Sequence, residues 1–117
     1  MYTQRAIVKI QFKMPDGKLL VHPFLIINHR SAQGVEKDKY FTGVMLTHSD
    51  GHPQFSYRLT KEMIDGRWEE SSSQVRLYLI TSFSIKDILP DSFLGYVKKP
   101  FFIKIMDEIK NFVLQVE

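Results

Sequence analysis

Between Thr47 and His52 the chain places two hydroxyls, two imidazoles and a carboxylate within six positions, as Thr47, His48, Ser49, Asp50 and His52. Imidazole takes up and releases protons near neutral pH, and hydroxyls donate hydrogen bonds to a phosphate. Such a set suits binding or cleavage of a polar substrate. The same residues also make an ordinary solvated turn, since Asp50-Gly51 and Pro53 carry turn chemistry, and taken alone this is the simpler reading. A third option is a metal site with His48, Asp50 and His52 as ligands at alternate positions. Gly51 and Pro53 break the extended geometry that alternate ligands need, so neither a metal nor another cofactor is assigned.

The apolar run Phe41, Val44, Met45 and Leu46 just before the cluster reads as an interior strand, with Gly43 leaving room for a close backbone neighbour. A rigid strand thus delivers polar groups to one rim. At 117 residues and 44% hydrophobic composition the chain is expected to form one domain with a single modest core. It has no run of eighteen apolar residues and no signal-peptide pattern at MYTQRAIVKI, so a soluble cytoplasmic protein without membrane association is expected. The absence of cysteine excludes disulfides, thiolate nucleophiles and zinc-thiolate clusters. A net charge of +3 and a pI near 9.2 are compatible with a polyanionic partner without requiring one.

The other elements are set by periodicity. Arg5 to Lys13 alternates, with Ala6, Val8, Ile10 and Phe12 on one face. After the turn Pro15-Asp16-Gly17-Lys18, Leu19 to Asn28 reads as a second strand whose core is Phe24 to Ile27, and Pro23 calls for an edge, a bulge or a strand start. His29 to Lys39 reads as a mobile loop. Gln54 to Thr60 alternates with Phe55, Tyr57 and Leu59 inward, predicting a hairpin with the Tyr40 strand across Asp50-Gly51. One helical turn is expected at Lys61 to Ile64, with Trp68 as the anchor of the connector beyond it. Gln74 to Ser82 reads as a central strand, with Val75, Leu77 and Leu79 on one face and Arg76, Tyr78 and Ile80 on the other. Phe83 to Asp91 is then a connector, and Phe93 to Val97 a short strand. Between Pro100 and Val116, apolar residues recur every three or four positions, predicting an amphipathic helix whose stripe is core. The chain is therefore expected to be mainly β: a small, strongly bent antiparallel barrel of five to seven strands capped by the C-terminal helix.

The order of these elements resembles the PemK/MazF family of toxin ribonucleases, whose barrel is SH3-like. The likeness rests on Val21-His22-Pro23-Phe24-Leu25-Ile26-Ile27, where the family opens its second strand with Arg-Pro and aliphatic residues. It rests also on Thr47 closing the third strand, with Ser49 nearby, and on the ending YVKKPFFIKIMDEIKNFVL. It spans nearly the whole chain through the order of its motifs, none of which is diagnostic alone. The chain departs from the family in three places. Tyr2-Thr3-Gln4-Arg5 replaces its glycine and acid, His22 stands where arginine precedes the proline, and Tyr78 stands where a carboxylate is expected, with Asp50 or Asp87 as candidate substitutes.

The resemblance implies metal-independent cleavage of single-stranded RNA by attack of the neighbouring 2′-hydroxyl. It also implies a homodimer and a cognate antitoxin peptide as partners. Such chemistry needs a base, an acid and a fixed cation. The candidates are His48 or His22 for proton transfer, Arg76 for the phosphoryl charge, and Thr47 with Ser49 as hydrogen-bond donors. Arg30, Lys39 and Arg58 are candidate RNA contacts, with Tyr57 for base stacking. The alternative expectation is a catalytically inactive barrel serving as a protein- or nucleic-acid-binding module.

Overall fold

Alternating apolar residues dominate the chain, and the computed structural model resolves them into one highly bent antiparallel sheet. It describes residues 2–13, 15–35, 39–47, 55–68, 72–114 and 116–117. Among these, seven strands form a nearly closed barrel: β1 (Ala6–Lys13), β2 (Leu19–Ile26), β3 (Tyr40–Thr47), β4 (Ser56–Thr60), β5 (Ile64–Asp65), β6 (Ser72–Ser84) and β7 (Gly95–Val97). Their spatial order is β4-β6-β3-β2-β1-β7-β5. One helix, α1 (Lys99–Glu108), comes after them, with Pro100 in its first turn where a missing N–H costs nothing.

Period-two alternation sorts the core into two clusters, one on each face of the sheet. Ile7, Leu25, Val44, Leu46, Leu59, Val75 and Leu77 meet Trp68 and the helix residues Phe102, Ile105 and Ile109. On the other face Val8, Ile10, Phe24, Ile26, Phe41, Phe83 and Ile88 pack together. Pro23 lies opposite Lys9 of β1, and β3 pairs with β2 only from Phe24 onward, so the proline meets the edge condition expected of it. The helical turn expected after Thr60 is a 3-10 turn at Lys61–Met63. The segment after His29 opens with another, Arg30–Ala32, capped by the His29 imidazole and leading to the buried Gln33, whose amide donates to the Asn28 carbonyl.

Three expectations need correction. The predicted β3–β4 hairpin does not form, because β6 lies between the two strands and pairs with both. The Asp50-Gly51 signal is local, whereas the sheet's order is set by the long apolar strand that arrives later in the chain. Second, β6 does not keep one alternation, nor does it end at Ser82, since it runs on to Ser84. Its pairing with β3 passes from Leu46↔Val75 to Val44↔Ile80, so β6 gains three residues on its neighbour. An odd insertion exchanges faces: Leu77 belongs to the helix-covered cluster and Phe83 to the other. Third, the helical stripe does not stay inward to Val116. At Ile109–Val113 the helix widens into a π-turn, closed by the Leu114 N–H donating to the Ile109 carbonyl at 2.9 Å. The extra residue per turn rotates the C-terminal end away from the sheet, leaving Phe112, Leu114 and Val116 exposed.

Two glycines allow the close approach of the chain where β5 meets β7. Gly66 and Gly95 sit back to back with φ of +144° and +140°, where side chains are strained, and a Cβ on Gly95 would meet the Asp65 carbonyl oxygen at 2.6 Å.

Candidate functional site

Register alone assembles the site. Phe24 of β2 faces Met45 of β3, so His22 and Thr47 stand one same-face step beyond that pair, where the two strands stop pairing. Thr47 faces Gln74 of β6, and Gln74 faces Arg58 of β4. The next same-face row on β6 and β4 is Arg76↔Ser56. His22, Thr47, Gln74, Arg58, Arg76 and Ser56 therefore project from one face of the sheet, opposite the helix-covered cluster.

Arg76 is the unusual member, with only 5% of its surface exposed. Burying a guanidinium is costly unless hydrogen bonds replace its water, and its Nη1 donates to the Ser56 hydroxyl at 3.2 Å. The β6 irregularity explains its position. Before the register shift, Val75 and Leu77 point into the helix-covered core, so Arg76 between them must point the other way. A permanently charged, rigid fork with hydroxyl and amide neighbours suits the oxygens of a phosphate or carboxylate.

Alongside these rows runs a groove of about 830 Å³, walled by Ile10, Phe12, Phe24, Met45, Leu79 and Phe83, with Lys13 and Lys86 also at its lining. Met45 links groove and polar rows, since it is the residue before the Leu46–Thr47 strand end. The His22 ring stacks on Phe12 with centroids 6.0 Å apart and planes 24° apart, which fixes the imidazole against the groove wall. Asp87 also lines the groove, but its carboxylate accepts the Ser84 N–H at 2.9 Å and closes a capping box.

The remaining expected residues lie elsewhere. Arg30 and Lys39 are at the opposite end of β3 from Thr47, about 23 Å away along an eight-residue strand. Tyr57 packs against the helix-covered cluster, and burial, then the nearby Glu108 carboxylate, raises its phenol above the ordinary value. It does not share the face of Arg76. His48, Ser49, Asp50 and His52 lie outside the described residues. Among the described residues no group of three metal-ligating side chains occurs, and no helix is long and apolar enough to cross a membrane.

The structure adds four residues to the expected set. Ser56 and Gln74 join through cross-strand pairing, which sequence alternation could orient outward but not match to a partner. Phe55, the residue before Ser56, and Tyr78, two residues after Arg76, meet edge to face with centroids 6.3 Å apart, each more than two-fifths exposed. Only the aromatic residue types signalled them. No protein-family model matches the chain, and no curated protein matches it.

Proposed function

We propose that the protein is a metal-independent endoribonuclease acting on single-stranded RNA. The observation that carries this reading is the buried Arg76, bonded to Ser56 on the face that also presents Thr47 and His22. The resemblance in element order to the toxin ribonucleases supports the same reaction. In it the 2′-oxygen of the nucleotide before the scissile bond attacks its own 3′-phosphate. A 2′-O–P bond forms, the P–O5′ bond breaks, and the products are a 2′,3′-cyclic phosphate and a 5′-hydroxyl. One imidazole receives the 2′ proton and a second group protonates the departing O5′. His22 and His48 take these parts. Arg76 holds the phosphoryl oxygens as negative charge builds, with Thr47, Ser56 and Gln74 donating hydrogen bonds. Arg58, one row away, attracts the flanking backbone. A cytoplasmic homodimer restrained by an antitoxin peptide is the working context of this reading.

The test is incubation of the purified protein with long single-stranded RNA in excess chelator. Fragments ending in 2′,3′-cyclic phosphate are expected, and a single 2′-deoxy substitution at a mapped site should abolish cleavage there. Intact RNA, or cleavage indifferent to the 2′-deoxy substitution, overturns the mechanism.

A second reading draws on the apolar groove, whose volume lies in the range of ligand-binding clefts. In it the barrel is catalytically inactive and binds a protein or nucleic acid along this face. RNA bound but never cut favours that reading.

A further inference from the structure

Charge and apolar surface are divided unequally along the groove of about 830 Å³. Ile10, Phe24, Phe83 and Ile88 line it and are buried, so its interior is apolar. Ile10 bridges Ile88 in the antiparallel sense, and the Leu89 N–H donates to the Lys9 carbonyl at 3.0 Å. Following β1 forward from Ile10 therefore leads to Lys13, while following the facing segment backward from Ile88 leads to Lys86. Both lysines are exposed, both line the groove, and both stand at the same end of it. Neither ammonium has an ion-pair partner among the described residues. Leu19, opposite Lys13 in the β1–β2 register, lines that end too and is 62% exposed. The acid on the lining, Asp87, is held by the Ser84 N–H at 2.9 Å, so two cations face one engaged carboxylate.

We propose that this groove binds a fatty-acid-like carboxylate, with its head at Lys13 and Lys86 and its tail along Phe24, Met45 and Phe83. The inference goes beyond the reading of Arg76 and does not depend on it. A neutral hydrocarbon would make no use of the lysines, and a cationic amphiphile would be repelled by them. A highly charged ligand would strand its charges against the apolar interior. A single anionic head on an apolar tail matches both halves. The volume is that of a small-molecule cleft, and the unbranched Met45 side chain on its wall adapts to a flexible tail.

The test is titration of the full chain with dodecanoate below its micelle concentration, followed by NMR of methyl-labelled methionine. The Met45 methyl should shift, while Met63 and Met106, which pack against the helix-covered cluster, should hold still. Shortening the acid to octanoate should weaken binding by up to about fourfold per methylene removed. Dodecanol should bind about 2- to 30-fold more weakly than dodecanoate, the range for two exposed charge contacts. Lys13→Met with Lys86→Met should bring that ratio to near one. Lys13→Glu with Lys86→Glu should instead favour dodecyltrimethylammonium. No binding of dodecanoate, or shifts at Met63 and Met106 without Met45, overturns the site. Affinity indifferent to chain length overturns the apolar tail channel and the proposal with it. Equal binding of acid and alcohol to the native protein, or a carboxylate preference that survives loss of both lysines, overturns the assignment of the head.

Discussion

Gly43→Ala tests the contact that lets β6 fold back across β3. A Cβ at position 43 would stand 2.7 Å from Cε1 and 3.2 Å from Cζ of Phe83, and 3.3 Å from the Leu25 carbonyl oxygen. Carbon atoms pack best at about 3.5–4.0 Å, so the Phe83 ring must retreat by roughly 1 Å. It has little room, being 5% exposed and held between Phe24 and Phe41 with both centroid distances 5.8 Å. Overpacking of this kind costs about 1–3 kcal/mol. Replacing glycine where its backbone is not left-handed returns about 0.4–1 kcal/mol by restricting the unfolded chain, leaving a net loss of roughly 1–2 kcal/mol. For a chain of this size that is a fall in Tm of about 4–8 °C by scanning calorimetry. Phe83→Leu alone should also destabilise, but in the Gly43→Ala background it should cost less, because it removes the obstructing ring edge. A Gly43→Ala protein melting at or above the native temperature, or two substitutions whose costs simply add, would show that ring and strand are not in contact. The consequence reaches the site: this contact fixes the second half of β6 against β3, and hence where the exchange of faces occurs.

Arg76→Met should lower the RNA cleavage rate by about 10²–10³, the usual effect of removing one fixed donor to a developing anion. Arg76→Lys should recover only part of it, since a point charge lacks the fork; native rates for Arg76→Met with intact far-UV dichroism would dismiss the assignment. Burial first and Glu108 second hold the Tyr57 phenol above its ordinary 10.0. The neutral form is thus favoured in the fold, and its contribution, complete below pH 10, is lost as pH rises through the folded value. Tyr57→Phe should accordingly flatten the decline of Tm across that alkaline window, and an unchanged slope would place the ring elsewhere. Gly95→Ala should be more damaging than Gly43→Ala, because the added carbon meets the Asp65 carbonyl and the position has φ of +140°. An equal or smaller loss in chemical denaturation would contradict the back-to-back packing with Gly66.

How far the sequence carried the fold depends on whether the deciding forces were local. The alternation in Ala6–Lys13, the edge condition at Pro23, the turn after Thr60 and the helix with Pro100 in its first turn each depend on a few neighbouring residues, and each was readable. The place of β6 was not. Asp50-Gly51 announces a hairpin as strongly as any dipeptide can, yet β6 lies between β3 and β4 with Val75 and Leu77 fully buried, whereas β4 has Leu59 as its one fully buried residue. Arg58 and Ser56 reach the neighbourhood of Thr47 only because that strand intervenes. The same contest shaped the site. Val75 and Leu77 flank Arg76, and keeping both out of water, worth about 1.5–3 kcal/mol each, sets the face on which Arg76 falls, where its Nη1 donates to the Ser56 hydroxyl. The apolar pattern that drives β6 into the sheet therefore also carries its cation to the face shared with Thr47 and His22. A single point substitution that exposed Val75 would be expected to release Arg76 as well, because position 76 is defined by the burial of its neighbours and not by any motif of its own.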